Sequence, residues 1–144
     1  VERKAKRYEL LVKGYLYTIF YHLFNRGYII TDTTDREFDL KIESIKSALD
    51  YINLNYSSEL DIDMLAKVSN LSKFYFCRLF KEITHLTPVD YINKFRVEKA
   101  IELIKNTDMS ISEIAFEVGF NSVSYFIKVF KEYVGTTPFK YKKI

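Results

Sequence analysis

Apolar side chains recur at three- and four-residue intervals from Tyr8 through Leu11, Val12, Tyr15, Leu16, Ile19, Phe20 and Leu23 to Phe24, which predicts a helix over about 2–25 that Gly27 ends. Its apolar stripe is wide and strongly aromatic, more than one short helix needs, and predicts a packing partner outside the helix itself. The polar run Thr31-Asp32-Thr33-Thr34-Asp35-Arg36 reads as a connector, and residues 31–39 as a linker. A second helix is expected over about 40–55, with Ile42, Ile45, Ala48, Leu49 and Ile52 on one side. Beyond Asp61 the elements shorten, to helices at about 61–69, 72–83, 88–106, 111–118 and 122–133 and a final turn from Pro138. Thr87 and Thr137 are N-cap candidates, each followed by proline at the first helical position, where its missing N–H costs nothing. Ser110 with Glu113 fits a capping box. No strand pattern competes, so the expected fold class is all-α.

The later elements repeat. Leu65-Ala66 returns as Ile114-Ala115, and Ser72, Phe76, Phe80-Lys81-Glu82, Thr87-Pro88 and Tyr91 return 50 residues on as Ser122, Phe126, Phe130-Lys131-Glu132, Thr137-Pro138 and Tyr141. Ahead of the serine the offset is 49, because Asn70-Leu71-Ser72 faces Gly119-Phe120-Asn121-Ser122. The slip is therefore a one-residue turn insertion between helices that stay in register. Each copy has a short helix, a turn with Asn70 or Gly119 where a left-handed residue is wanted, and a second helix opened by serine, which is the outline of a helix-turn-helix. Ala66 and Ala115 would let the two helices approach closely. Spacing buries Phe76, Leu79 and Phe80 in one copy and Phe126, Val129 and Phe130 in the other. Opposite them lie Lys73, Phe74, Cys77, Arg78 and Lys81, and Ser122, Val123, Ser124, Ile127, Lys128 and Lys131.

Composition narrows the function classes. With 48% hydrophobic and 28% charged residues over 144 positions, the chain is no disordered segment, and four Gly and two Pro leave little turn material for a sheet sandwich. No run reaches the roughly 18 uncharged apolar residues of a membrane span, so no membrane partner is expected. The lone Cys77 suits a reducing, cytoplasmic setting. The chain opens on Val1, as a piece of a longer protein would. The net charge of +3 lies wholly in the second part, since residues 1–60 hold nine basic and nine acidic side chains and residues 61–144 hold thirteen and ten. That excess favours an anionic partner, although an ordinary solvated surface accounts for it as well. His22 and His85 have no Cys or carboxylate at metal-ligand spacing, there is no glycine-rich phosphate loop, and Cys77 has no base partner, so no metal, cofactor or enzymatic activity is expected.

A helix presented by a helix-turn-helix fits the major groove of duplex DNA, its N-terminal part nearest the base edges. Residues 88–106 would form a rod about 28 Å long at about 1.5 Å per residue, against about 34 Å between successive major grooves on one face. One monomer could thus set two reading helices near groove-to-groove separation. The segment from about Ile42 to Lys143 resembles the DNA-binding domain of AraC/XylS-type bacterial transcription regulators. The second copy carries the resemblance most specifically, through Ile111, Ile114-Ala115, Val118-Gly119-Phe120-Asn121, Ser124-Tyr125-Phe126, Phe130-Lys131, Gly135, Thr137-Pro138 and Tyr141, and Tyr91-Ile92, Arg96 and Ala100 match in the connecting stretch.

The resemblance implies a seven-helix domain, residues 40–144, with helix-turn-helix units at 61–83 and 111–133 joined by a long helix and preceded by an additional N-terminal helix. It further implies a sequence-specific regulator, more often an activator, with double-stranded DNA and RNA polymerase as partners and any small-molecule inducer on an upstream domain. By position, base-edge contacts fall on Lys73, Phe74, Cys77 and Arg78, and on Asn121, Ser122, Val123, Ser124, Ile127 and Lys128, with Lys81 and Lys131 toward phosphates. Arg78 is the foremost of these, being able to bond guanine bidentately. Residues 1–30 would close an upstream sensory region and supply a homodimer contact. One departure from the pattern is His85, which stands where the second copy has Gly135. The alternative reading is an all-helical protein-interaction or dimerisation module that uses the aromatic surface of residues 1–30, with the repeat as scaffold only.

Overall fold

The computed structural model describes residues 33–143, and among them every regular element is a helix. There are seven: α1 (Thr33–Asn55), α2 (Ile62–Val68), α3 (Lys73–Thr84), α4 (Pro88–Asn106), α5 (Ile111–Glu117), α6 (Val123–Val134) and α7 (Pro138–Lys142). This is the all-α, seven-helix order expected, with two helix pairs joined by a long fifth partner, α4. The helix expected over about 2–25 and its dimer contact lie outside the described residues. One expectation is corrected. Residues 33–39 belong to α1 and are helical, where a polar linker over 31–39 was expected. Gly and Pro are absent from that stretch, and Asp35 and Glu37 are residues that a helix N-terminus favours, so polarity alone did not signal a break.

Residues 40–144 form a compact unit of their own, built on two apolar clusters. The first joins Ile45, Ala48 and Ile52 of α1, Leu65 and Ala66 of α2, Phe76, Leu79 and Phe80 of α3, and Ile92 at the start of α4. The second joins Val97, Ala100 and Ile104 farther along α4 to Ile111, Ile114 and Ala115 of α5 and Phe126, Val129 and Phe130 of α6. Helix α4 thus gives its first turns to one cluster and the rest to the other. Each cluster centres on a phenylalanine pair one helical turn apart, with ring centroids 5.4 Å apart for Phe76–Phe80 and 5.6 Å for Phe126–Phe130. A tyrosine from the following helix closes each pair edge-on, Tyr91 on Phe80 and Tyr141 on Phe130. The sequence repeat is therefore a repeat of packing.

The helix ends follow their caps. Thr87 Oγ1 accepts from the Asp90 N–H at 3.2 Å and Thr137 Oγ1 from that of Lys140 at 3.5 Å. The capping box is complete: Glu113 N–H donates to Ser110 Oγ at 3.2 Å and Ser110 N–H to Glu113 Oε2 at 2.7 Å. Hydrogen bonding from Ser110, its backbone N–H first and then its hydroxyl, holds the Glu113 carboxyl below its ordinary pKa. Helices α3 and α6 end alike, on His85 at φ 60° and Gly135 at φ 81°, both left-handed. His85 thus adopts the conformation of glycine at some cost. His85→Gly is expected to raise stability by about 0.5–1 kcal/mol, visible as a higher urea midpoint with an unchanged slope. A lower midpoint would mean that the imidazole contributes more than its backbone costs.

Candidate nucleic-acid interface

Each reading helix is aimed by the turn before it, and both turns are the same hydrogen-bonded device. After α2 the Leu71 N–H reaches the Ala66 carbonyl and the Asn70 N–H that of Lys67, both at 2.9 Å. After α5 the Phe120 N–H reaches Ala115 and the Gly119 N–H reaches Phe116, again both at 2.9 Å. This is a Schellman motif with its left-handed residue at Asn70 (φ 54°) or Gly119 (φ 91°). The alanines that accept the longer-range bond are also those buried at the helix crossing. The copies then diverge. Asn121 is the extra residue, and Ser122 caps α6 by accepting from the Tyr125 N–H at 3.4 Å, while Ser72 makes no side-chain cap bond to α3.

The outward faces sort the residues expected from the sequence. On α3, Lys73, Phe74, Arg78 and Lys81 are exposed and Cys77 is half-buried against the first cluster. On α6 and its approach, Asn121, Ser122, Ser124, Lys128 and Lys131 are exposed, while Val123 and Ile127 are half-buried against the second cluster. Lys73 is already engaged, with its Nζ 2.7 Å from Asp63 Oδ2 of α2. That contact raises its pKa and must open for Lys73 to meet another anion, which costs little for a pair this exposed. Arg78 makes no ion pair with any described residue; its guanidinium lies over the Tyr75 ring, 5.1 Å from the centroid. Lys81, Lys128 and Lys131 make none either among the described residues, which leaves four cations without an ion pair there on the two outward faces.

What fixes one face relative to the other is a set of polar contacts centred on α4. Arg96 donates from Nε to the Tyr56 carbonyl at 2.8 Å and from Nη2 to that of Ser58 at 2.9 Å, gripping the turn that follows α1. Its guanidinium also lies 5.7 Å from the centre of the Phe120 ring in the second turn, and burial pulls its pKa down. Gly119 closes against the same turn, so near that an added Cβ would stand 2.7 Å from the Tyr56 oxygen. Tyr56 meets Phe95 edge-on at 5.3 Å. One turn toward the start of α4, buried Asn93 donates to the Tyr125 hydroxyl at 3.0 Å, and the Tyr133 hydroxyl donates to the Asp90 carbonyl at 3.0 Å. Both tyrosines belong to α6, so the second reading helix is bolted to α4 at two levels.

These positioning residues did not stand out in the sequence as such. Arg96 interrupts the apolar run of α4, which was a usable signal, but its partners are backbone carbonyls some 40 positions earlier in the chain. Among the described residues no group of three or more His, Cys, Asp or Glu side chains could hold a metal ion, and no helix is long and apolar enough to cross a membrane.

A family model described as a helix-turn-helix domain matches residues 65–144, more than half of the chain. Over all 144 residues the chain is 30% identical to the HTH-type transcriptional regulator YdeC of Bacillus subtilis, of which it covers 49%, and it spans about half the length or less of the curated relatives it matches. Among solved structures, a transcriptional regulator with an AraC-type DNA-binding domain from Chromobacterium violaceum is 25% identical at a TM-score of 0.66, with 70% of this chain and 90% of that chain covered. The DNA-binding domain of the global transcriptional factor AdpA, solved in complex with a target DNA, superposes at a TM-score of 0.67 over 69% of this chain and 90% of that chain. At 24% identity that likeness is one of fold.

Proposed function

Since the chain belongs to the AraC-type family of helix-turn-helix transcription regulators, we propose that it binds duplex DNA sequence-specifically, with α3 and α6 in successive major grooves, and activates transcription from the bound site. The observation that carries this reading is the pair of outward helix faces, each with cations that make no ion pair among the described residues, held in fixed relation through α4. Nineteen residues of α4 give a rod of about 28 Å, close to the groove repeat of about 34 Å. Arg78, Lys128, Ser124 and Asn121 are the polar groups offered to base edges, and Lys81 and Lys131 would meet phosphates. Cys77, Val123 and Ile127 show only part of their surface and contribute shape. The AdpA domain, a similar fold solved with a target DNA, supports duplex binding as such.

The test is selection of sites from random duplexes, followed by titration of the best site at several salt concentrations. Two short blocks about one helical turn apart are expected, with affinity falling by about 0.9 log units per log unit of salt for each phosphate neutralised. Arg78→Ala is expected to lose about 1–3 kcal/mol of discrimination at one base pair, and an unchanged motif would remove Arg78 from its role. One block alone would make the second unit a phosphate anchor, and no enrichment with a flat salt response would favour a protein-interaction module. Activation is checked by a reporter with the selected site upstream of a weak promoter, where expression should rise with the regulator present; a fall would make it a repressor.

A further inference from the structure

Equivalent positions of the internal repeat make each unit a reference for the other, and at several of them the first unit carries the weaker local chemistry. Ser69 stands where the second unit has Val118. Both are buried, at 4% and 0% exposure, but Val118 joins the second apolar cluster while the Ser69 hydroxyl has no hydrogen-bond partner among the described residues. A hydroxyl left so carries the full desolvation penalty of a polar group. Ser72 makes no side-chain cap bond where Ser122 makes one, and His85 is held at φ 60° in the left-handed conformation that Gly135 adopts freely. Against these stands the Lys73–Asp63 pair, exposed on both sides and therefore worth little.

Attachment to α4 is unequal as well. Helix α6 is held by the Tyr125 and Tyr133 hydroxyls, bonded to Asn93 and to the Asp90 carbonyl. On α3 the equivalents are Tyr75, whose ring faces the Arg78 guanidinium of its own helix, and Ile83, which has no hydroxyl. Asp90 and Asn93 lie in the first turns of α4, so the second unit holds the same end of α4 that the first unit packs on through Ile92. Helices α2 and α3 can therefore come away without releasing α4. We infer that the first unit, α2 with α3, opens transiently while α4, α5 and α6 stay folded, and, resting on duplex binding as proposed above, that a bound duplex holds it closed. Segments that a ligand orders are drawn from such low-stability elements.

Native-state amide hydrogen exchange on the whole chain tests this, because the repeat supplies matched pairs. The Phe76 and Phe126 N–H groups donate to the Ser72 and Ser122 carbonyls at 2.8 and 2.9 Å, and both rings are fully buried. In the free protein, exchange corrected for intrinsic rates is expected to be at least about tenfold faster at Phe76 and Phe80 than at Phe126 and Phe130. Ser69→Ala removes the unpartnered hydroxyl and adds no bulk; it should slow exchange in α2 and α3 about tenfold and leave α5 and α6 unchanged. Equal exchange at the matched pairs, or Ser69→Ala slowing both units alike, would overturn local opening. With the duplex selected from random sites at saturation, the difference between Phe76 and Phe126 should vanish. A difference that persisted on the bound duplex would overturn closure by DNA and leave local opening standing. If no duplex were enriched, duplex binding and the closure that rests on it would both fall, while the comparison in the free protein would still decide local opening.

Discussion

Gly119→Ala is expected to lower folding stability by about 3–4 kcal/mol, and Gly135→Ala by only about 1–2 kcal/mol. Both glycines are left-handed, at φ 91° and 81°, so both substitutions carry the strain of an L-residue there. They differ in what a methyl group would meet. At Gly135 nothing lies within 4 Å, whereas at Gly119 the new Cβ would stand 2.7 Å from the Tyr56 oxygen and 2.9 Å from that of Ser57. Those atoms are backbone and cannot swing aside as a side chain would. Moving the Tyr56 carbonyl would also strain its 2.8 Å bond from Arg96. Urea denaturation of the two variants isolates the steric contribution, since the conformational one is nearly common to them; equal losses would show that the turn after α1 yields freely.

The repeat made much of this fold legible in the sequence. Asn70 and Gly119 as the left-handed residues of the turns, Thr87-Pro88 and Thr137-Pro138 at helix starts, and the phenylalanine pairs of α3 and α6 are local signals, each set by residues within about five positions. Ala66 and Ala115 were legible as small residues that let two helices approach closely, but not as the acceptors on which the turns fold back. The start of α1 was not, because a polar stretch without Gly or Pro looks like a linker when only hydrophobic periodicity is followed. The outward faces were legible as sets of residues but not in their state. That Lys73 is held by Asp63, or that Val123 and Ile127 turn half inward, depends on neighbours ten or more positions away or on helix orientation. Least legible were Arg96 and Asn93. Their partners, the Tyr56 and Ser58 carbonyls and the Tyr125 hydroxyl, become neighbours only once α1, α4 and α6 have packed.

Arg96 carries the second large effect. Arg96→Met keeps an apolar stem of similar length but deprives two carbonyls of a charged donor, and it is expected to cost about 2 kcal/mol. Arg96→Lys should recover little, since one ammonium cannot span the carbonyls of Tyr56 and Ser58 as the guanidinium fork does. The double variant Arg96→Met with Gly119→Ala should cost at least 0.5 kcal/mol less than the sum of the two. Once the turn is no longer gripped, it can retreat from the added methyl group. A merely structural role for Arg96 would end there, but its position predicts more. The gripped turn continues from α1, whose Ile45, Ala48 and Ile52 lie in the first apolar cluster, while its Tyr56 and Phe120 pack in the second, so the guanidinium helps fix how the two units are joined. On sites with one base pair inserted between the two blocks, the wild-type protein should lose most of its affinity, whereas folded Arg96→Met should lose markedly less while binding the unaltered site more weakly. If the variant discriminated between the two spacings as sharply as the wild type, the separation would be set by the helix packing of α4 alone, and Arg96 would contribute stability without register.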